Sequence, residues 1–218
     1  MPLDLPTAPA TCLVSPGATT PDTTRESEEF HGLLALARAA AEARIDLFQL
    51  REKLLRPRVL YELASRCAAI TRGTGTRLLV NDRADIASAA GADGVHLTTR
   101  SLEASAVRRA FGTDFLIGVS AHTLAEARAA REGGADFAVY GPVFDTPSKR
   151  ALGSPVGVER LREAARALSP FPVFAIGGVT RENAREVLRA GARGVAAIRL
   201  FDDPGSLRDV VEEIRNPS

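Results

Sequence analysis

The sequence has few of the residues that hold nucleic acids. It contains no Trp, and aromatic residues make up only 5% of its 218 positions, so we expect no stacking platform for bases. Its 28 basic and 27 acidic residues leave a formal net charge of +1, too little for the broad positive field that nucleic acids attract. A nucleic-acid partner is therefore not expected.

Long hydrophobic runs and cysteine motifs are also absent. No apolar run approaches the roughly 20 residues that span a membrane. The first residues, MPLDLPTAPATCLV, lack the basic region of a signal peptide and are interrupted by prolines. Cys12 and Cys67 form no metal or redox motif, and their surroundings favour buried thiols. These features predict a protein of the reducing cytoplasm with no membrane partner.

One pattern recurs along the chain: a helical stretch, a glycine, and a short apolar strand. It occurs as AAGADGVHL, EGGADFAVY and RAGARGVAAI, with Gly91, Gly134 and Gly191 where a helix end favours a left-handed residue. The other predicted strands are Thr11–Val14, Ile45–Leu50, Arg77–Val80, Phe115–Val119 and Pro172–Ile176. The predicted helices are Glu26–Ala43, Arg58–Thr71, Ala84–Ala90, Leu102–Phe111, Leu124–Arg131, Val158–Leu168, Arg181–Arg189 and Pro204–Arg215.

Eight strands that alternate with eight helices predict the fold. Strict alternation implies a parallel sheet, and eight units in this length favour a (β/α)₈ TIM barrel. An open doubly wound sheet is the alternative, but the G-x-G-x-x-G turn of a dinucleotide site is missing. We expect one domain over residues 1–218, with frayed ends at 1–9 and 216–218 and a loose first loop within residues 1–24.

Chemically active residues of such barrels follow the carboxyl ends of the strands. Strand alternation points Gln49 and Arg51 to one side, and Lys53 follows at the rim. The other candidates at strand ends are Asn81, Asp82, Ser120, His122, Thr146, Lys149, Gly177, Gly178, Ile198 and Arg199. His31 and His96 are predicted to have no chemical role.

The basic candidates predict an anion at this mouth. Arg51, Lys53 and Lys149 would repel one another unless an anion neutralised them, and a diphosphate is the natural partner. Gly177-Gly178 precedes Thr180, which we interpret as a helix N-cap, so exposed N–H groups there would form a second anion site. Two such sites predict two phosphorylated ligands, or one long one.

Each of these motifs also has an ordinary structural interpretation. Arg51–Lys53 could be a solvated rim, and the Thr146–Lys149 segment a solvated loop. Asp82 could serve only as the N-cap of the next helix. His122 could be a loop histidine without chemistry.

At these residues the sequence resembles a known family. The motifs QLREK, VNDRADIA…AGADGVHL, IGVSAHT, YGPVFDTPSK and AIGGVT occur in order between Ile45 and Ile198. Together they are similar to thiamine-phosphate synthases and to the related thiazole tautomerases. The resemblance implies a (β/α)₈ barrel. It also implies a Mg²⁺-assisted transferase that joins hydroxymethylpyrimidine diphosphate to thiazole phosphate and releases pyrophosphate.

The resemblance also implies roles for the candidate residues. Asp82 would bind Mg²⁺, and Lys149, Ser120 and His122 would be the catalytic candidates. The pyrimidine diphosphate would be held by Gln49, Arg51, Lys53, Asn81, Ser120, Thr146 and Lys149. The thiazole phosphate would be held by Gly177 and Gly178, and Ile198 would be a further substrate-binding residue.

The chain departs from the synthase pattern in three places. Synthases have Gly-Gln-x-Asp after the strand-four motif, whereas this chain has Thr98-Thr99-Arg100-Ser101, so Ser101 replaces the second Mg²⁺ carboxylate. Arg199 stands where a serine is expected, and Ser15-Pro16 stands where Thr-Asp is usual. These departures leave the roles of Ser101 and Arg199 open.

Three functional alternatives remain at this stage. The synthase is favoured by Lys53 and by the Asn81-Asp82 pair. A tautomerase would use His122 to move a proton on a thiazole carboxylate phosphate. A non-catalytic binder of thiamine-pathway phosphates would keep the anion sites without turnover. A homo-oligomer is compatible with the sequence.

Overall fold

Eight short strands alternate with eight helices in the computed structural model, which describes residues 5–146 and 154–216. The strands are β1 (Ala10–Val14), β2 (Leu47–Leu50), β3 (Arg77–Asn81), β4 (Gly94–Leu97), β5 (Leu116–Ala121), β6 (Phe137–Tyr140), β7 (Val173–Ile176) and β8 (Gly194–Ala197). The helices are α1 (Glu28–Glu42), α2 (Pro57–Thr71), α3 (Ala84–Ala90), α4 (Ala104–Phe111), α5 (Leu124–Glu132), α6 (Gly157–Leu168), α7 (Ala184–Arg189) and α8 (Leu207–Arg215). Each strand pairs in parallel with the next, and β1 pairs with β8. The predicted (β/α)₈ TIM barrel is confirmed.

The helix ends follow the glycine pattern. Gly91, Gly134 and Gly191 have positive φ angles of 71°, 84° and 98°, the left-handed conformation that L side chains rarely adopt. Four helices begin later than predicted: α1 at Glu28, α4 at Ala104, α7 at Ala184 and α8 at Leu207. Turns precede α7 and α8, where the Asn183 side chain accepts the Thr180 N–H and the Ser206 hydroxyl donates to the Asp203 carbonyl. Such side-chain bonds compete with the start of a helix.

The barrel interior is a separate apolar cluster from the layer between strands and helices. Its buried members are Ala10, Cys12, Val14, Leu47, Leu79, Leu116, Phe137, Val139, Phe174 and Ala196. Alternation along each strand sends these side chains inward and their neighbours outward against the helices. A Cβ on Gly118 would lie 2.3 Å from Cζ of Phe137, so only glycine leaves room for this ring.

Carboxylates close the end of the barrel that lies opposite the strand carboxyl termini. Asp46, Asp93 and Asp136 each come just before a strand. At 2.7–2.8 Å they accept the N–H of the second residue of the preceding strand, which is Thr11, Leu78 and Ile117 respectively. Before β8 the corresponding residue is Arg193, which donates to the Ala8 carbonyl at 2.8 Å. The polar side chains at this end of the barrel therefore bind neighbouring strands to one another. The candidate site is expected at the other end, where the strands have their carboxyl termini.

Cys12 and Cys67 are buried free thiols, as the sequence predicts. Desolvation by burial raises the pKa of each to about 12, which suppresses the reactive thiolate. Among the described helices, none combines the length and apolarity needed to cross a membrane.

Candidate active site

Gln49 and Asn81 form an amide pair at the carboxyl end of neighbouring strands. Gln49 Nε2 donates to Asn81 Oδ1 at 3.0 Å, and Asn81 Nδ2 donates to Asp82 Oδ2 at 2.8 Å. Both amides are buried, with 4% and 7% of their surfaces exposed. The chain of bonds fixes which atom of each amide is oxygen and which is nitrogen, so the free Gln49 Oε1 is presented as an acceptor.

Asp82 connects β3 to the segment after β4. Its φ angle of 60° is left-handed, and its Oδ1 accepts hydrogen bonds from the Ser101 hydroxyl and from the Thr98 N–H at 3.1 Å. Burial alone would raise the pKa of Asp82, but the bonds from Ser101, Thr98 and Asn81 outweigh it and lower that pKa. The alternative that Asp82 caps α3 is wrong, because the N-cap position is Arg83 and no side chain caps that helix.

Asp82 and its neighbours provide only some of the ligands that a metal ion needs. Within residues 5–146 and 154–216, no group of three or more His, Cys, Asp or Glu side chains could hold one. Asp82 provides one carboxylate, and Ser101 contributes a hydroxyl in contact with it. Mg²⁺ takes hard oxygen ligands and often keeps several waters or substrate phosphate oxygens, so one carboxylate can form part of its ligand set.

His96 lies inside the barrel mouth, although the sequence pattern predicts no chemical role for it. Its Nε2 lies 2.9 Å from Ser120 Oγ, whereas its Nδ1 is buried without a partner. Desolvation lowers the pKa of His96 to about 4, with Arg51 acting in the same direction and Asp82 opposing it. The imidazole is therefore neutral near pH 7. Because β4 alternation places Gly94 and His96 on one face, the inward position could have been recognised from the sequence.

Glu52 holds the first loop in place and was also missed. It is only 3% exposed, and its carboxylate accepts from the Ser15 hydroxyl at 2.6 Å, the Gly17 N–H at 3.0 Å and the Thr19 hydroxyl at 2.8 Å. A loop with these contacts is not loose, so that expectation is wrong. The signal was hidden because Glu52 stands in a charged run that is typical of a solvated rim.

The two cations beside Glu52 differ in exposure. Arg51 is half-buried, and its backbone N–H donates to Ser15 Oγ at 2.8 Å. A Cβ on Gly17 would lie 3.3 Å from Arg51 Nη1, so the guanidinium rests against the first loop. Lys53 is exposed at the rim. A solvated rim therefore describes Lys53, but not Glu52.

His122 follows β5 and is fixed from two sides. Its Nδ1 contacts the Gly141 carbonyl oxygen at the end of β6, and its backbone N–H donates to Glu126 Oε2 at 2.6 Å. Thr123 caps α5 by accepting the Glu126 N–H at 3.2 Å. A carbonyl can only accept, so Nδ1 carries the proton and Nε2 is the basic nitrogen.

The loop after β6 is anchored on the glycine turn after β7. Val143 N–H donates to the Ile176 carbonyl at 2.8 Å, and Phe144 N–H donates to the Gly177 carbonyl at 3.0 Å. A Cβ on Gly178 would lie 2.7 Å from the Asp145 carbonyl oxygen, and the Gly178 φ angle is 65°. Only glycine permits this close approach.

Thr146 is the last described residue of this loop before the gap, and it is 7% exposed. Arg199 Nη2, from the turn after β8, lies 3.3 Å from Thr146 Oγ1. Ile198 is partly buried and packs on the interior cluster. Lys149, which the sequence predicts to contact the diphosphate, lies outside the described residues.

Asn183, rather than Thr180, organises the turn after β7. Its Oδ1 accepts the Thr180 N–H at 2.8 Å, and its Nδ2 donates to the Gly178 carbonyl at 2.9 Å. The predicted N-cap role of Thr180 is wrong, since α7 starts at Ala184. The Gly178 N–H donates to no other residue in the described ranges, which leaves it available to an anion.

A cavity of about 430 Å³ lies beside this mouth. Ser101 and Ser120 line one part of it, and Ala129 and Ala130 of α5 line another. The described candidates from β2 to β8 thus surround one end of the barrel. The arrangement can bind anionic and amide-bearing ligands, because cations, hydroxyls and fixed amides are all present at that end.

Comparison with known proteins agrees with this arrangement. The family model described as thiamine monophosphate synthase matches residues 22–201. A thiamine-phosphate synthase from Methanoregula boonei is 42% identical over 183 residues, covering 82% of this chain and 84% of the relative. The thiamine-phosphate synthase of Moorella thermoacetica is 44% identical over 165 residues, covering 76% of this chain and 78% of the relative.

A solved structure has the same architecture over nearly the whole length. It is a thiamine phosphate pyrophosphorylase from Pyrococcus furiosus, with a TM-score of 0.76 and 28% sequence identity. The alignment covers 95% of this chain and 97% of that one. The similarity therefore includes the strand ends that carry the candidate residues.

Proposed function

Because this chain belongs to the thiamine monophosphate synthase family, we propose that it is a thiamine-phosphate synthase. It couples hydroxymethylpyrimidine diphosphate with thiazole phosphate to give thiamine phosphate and pyrophosphate. The observation that carries the proposal is the connected polar network from Gln49 through Asn81 and Asp82 to Ser101, at the mouth where Arg51 also lies. Such a network suits a ligand with an amide-like edge and an anionic group.

The pyrimidine is recognised by fixed hydrogen-bonding groups. Gln49 Oε1 accepts from its amino group, because Gln49 Nε2 is already bonded to Asn81. His96 donates through Nε2 to Ser120 Oγ, since a protonated Nδ1 would be a buried donor without an acceptor. The Ser120 hydroxyl can then donate to a pyrimidine nitrogen. A neutral His96 is thus a positioning residue for Ser120.

The cations stabilise the group that leaves. The bond between the pyrimidine methylene carbon and the diphosphate oxygen breaks, and its electron pair goes to that oxygen. Arg51, Lys53, Thr146 and Lys149 contact the diphosphate, where this negative charge increases. The thiazole nitrogen lone pair then forms the new bond to the methylene carbon. No protein nucleophile is needed.

Mg²⁺ is part of this proposal. Asp82 and the Ser101 hydroxyl would hold it together with oxygens of the substrate diphosphate. When bound, the ion neutralises charge on the diphosphate. The lowered pKa of Asp82 keeps its carboxylate ionised at neutral pH, which suits a cation ligand.

We also propose a cytoplasmic enzyme with small-molecule partners. Cys12 and Cys67 are free and buried, which agrees with a reducing compartment. The partners are the two phosphorylated substrates, and the mouth offers one anion site to each.

The test is direct. Purified protein is incubated with both synthase substrates and Mg²⁺, and separately with the unaromatised thiazole tautomer, and the products are identified by mass and NMR. We expect thiamine phosphate and one pyrophosphate per coupling event. Conversion of the tautomer without coupling would instead identify a tautomerase. Binding of both phosphates without either product would identify a non-catalytic binder.

A further inference from the structure

Glu52 is a buried carboxylate that accepts four hydrogen bonds from the first loop, residues 15–24 between β1 and α1. Its Oε1 accepts from the Ser15 hydroxyl at 2.6 Å and from the Gly17 N–H at 3.0 Å. Its Oε2 accepts from the Thr19 N–H at 3.2 Å and from the Thr19 hydroxyl at 2.8 Å. An ionised carboxylate has about four lone-pair sites, so these four neutral donors fill them.

The same loop contacts Arg51 at two places. The backbone N–H of Arg51 donates to Ser15 Oγ at 2.8 Å, so the hydroxyl that donates to Glu52 also accepts this bond. A Cβ on Gly17 would lie 3.3 Å from Arg51 Nη1 and 3.4 Å from the Arg51 carbonyl oxygen. The φ angle of Gly17 is 75°, which L side chains rarely adopt. The loop therefore confines the guanidinium from one side, and Glu52 confines the loop.

This arrangement leaves the charge of Arg51 available to a ligand. Because neutral groups of the loop already fill the lone-pair sites of Glu52, the carboxylate does not need the guanidinium as a partner. Arg51 is half-buried and rests against the loop. A side chain that is already confined loses less freedom when it binds an anion, which strengthens binding.

We infer that Glu52 is a positioning residue, which acts through the first loop and Gly17 to hold the Arg51 guanidinium in the orientation that binds the diphosphate. This inference rests on the proposed function, which assigns the diphosphate to Arg51. Glu52 is only 3% exposed, so it acts on the ligand through Arg51. Its effect should therefore be confined to the diphosphate and should require Arg51.

The experiment is a double-mutant cycle at fixed Mg²⁺. Calorimetry gives the Kd of inorganic pyrophosphate, and separately of thiazole phosphate, for wild type, Glu52→Gln, Arg51→Ala and the double variant. Glu52→Gln keeps the shape of the side chain but turns one acceptor towards the loop donors into a donor. Asp46→Asn is the matched control, because Asp46 accepts the Thr11 N–H and hydroxyl at 2.8 and 2.9 Å at the opposite end of the barrel. Folding of each variant is checked by thermal unfolding.

A second pair of variants tests the contact from the side of the loop. Gly17→Ala adds a Cβ 3.3 Å from Arg51 Nη1. Gly73→Ala is its matched control, because the φ angle of Gly73 is 76° and the added Cβ would meet no atom of the described residues within 4 Å. Both variants therefore carry the same backbone strain, and only one touches Arg51. This pair decides the question if Glu52→Gln does not fold.

We expect Glu52→Gln and Gly17→Ala each to raise the Kd of pyrophosphate by about tenfold, most of the loss that Arg51→Ala causes. The Kd of thiazole phosphate should stay at its wild-type value. In the Arg51→Ala background, Glu52→Gln should change the pyrophosphate Kd by less than about twofold, because Glu52 acts through Arg51. Asp46→Asn and Gly73→Ala should lower the Tm and leave both Kd values unchanged.

Four results would overturn the inference: wild-type pyrophosphate binding by folded Glu52→Gln or Gly17→Ala, equal losses for both ligands, a full loss that persists without Arg51, or no pyrophosphate binding to wild type. The proposed function is judged separately, by wild-type formation of thiamine phosphate. Pyrophosphate binding that depends on Glu52 through Arg51, in a protein that makes no thiamine phosphate, would refute the synthase and support the positioning role. Wild-type turnover with a Glu52→Gln variant that binds pyrophosphate as wild type does would do the reverse.

Discussion

Gln49 and Asn81 are joined side chain to side chain, with Gln49 Nε2 at 3.0 Å from Asn81 Oδ1 across neighbouring strands. The bond leaves one amide oxygen, Gln49 Oε1, facing the mouth. In the proposed synthase the pair would recognise the pyrimidine together, with Asn81 acting through Gln49 as well as through Asp82. Both amides are buried, so neither can be lost without leaving the other with an unsatisfied group.

The first prediction concerns this pair. Gln49→Ala and Asn81→Ala should each raise the KM for pyrimidine diphosphate by about tenfold, the value of one hydrogen bond, and leave the KM for thiazole phosphate nearly unchanged. In the double variant the KM for pyrimidine diphosphate should rise by less than the product of the two single increases, because the residues act as a unit. Asn216→Ala, after α8, is the control amide. Strictly multiplicative losses would contradict the coupling.

The second prediction concerns the missing carboxylate. Ser101→Asp puts a second carboxylate against Asp82, so the half-saturating Mg²⁺ concentration for turnover should fall by about tenfold or more. Without Mg²⁺ the two charges repel, so the Tm should drop, and added Mg²⁺ should restore it. Ser88→Asp, at the exposed carboxyl end of α3, is the matched charge control. A Tm and a metal requirement that both stay at wild-type values would refute this interpretation of Ser101.

The third prediction concerns pH. Because the pKa of His96 is depressed to about 4 from 6.5, the unfolded chain takes up the proton first as pH falls. Protonation of His96 therefore leaves the free energy of unfolding unchanged above pH 6.5 and lowers it as the pH falls from 6.5 to 4. At about 1.4 kcal/mol per pH unit, the loss is about 3 kcal/mol.

His96→Gln keeps an amide donor towards Ser120 but has no proton to gain. Urea unfolding at pH 7.5 and pH 4 should show wild type losing about 3 kcal/mol more than the variant. His31→Gln, at an exposed position of α1, controls for removal of an imidazole elsewhere. Parallel loss of stability in wild type and His96→Gln would show that His96 is not a buried neutral group.

The fourth prediction separates the two enzymes through His122. In a synthase, His122→Ala should lower the coupling rate by about tenfold or less, through lost positioning. A tautomerase would lose most of the ~10²–10⁴-fold that a general base supplies. The measurements are coupling rate and thiazole proton exchange, with folding checked by circular dichroism. Wild-type exchange without coupling, abolished in His122→Ala, would replace the synthase assignment with the tautomerase.

The sequence predicted the fold well because its signals are local. Gly91, Gly134 and Gly191 mark helix ends by their own backbone requirements, and the apolar strands follow at fixed distances. The inward direction of Gln49 likewise follows from alternation along one strand. These features depend on residues close in sequence, which a single chain displays directly.

The parts that were missed depend on contacts between distant residues. Glu52 is buried because Ser15 and Thr19, more than thirty residues earlier, surround its carboxylate. The approach of Arg199 to Thr146 spans 53 positions and depends on closure of the barrel. Neither pattern is periodic, so neither could be predicted from spacing alone.

Main-chain hydrogen bonds attach both described ends of the loop after β6. Val156 and Gly157 N–H groups donate to the Pro142 and Val143 carbonyls at 2.8 and 3.2 Å, which adds to the two bonds that Val143 and Phe144 make to the β7 end. Every residue has a backbone carbonyl, and every residue except proline has a backbone N–H. These main-chain bonds can therefore form whatever the side chains of the loop are. The segment is therefore suited to exchange between relatives: a grafted loop that keeps residues 141–144 and 156–157 can change substrate preference while the barrel continues to fold.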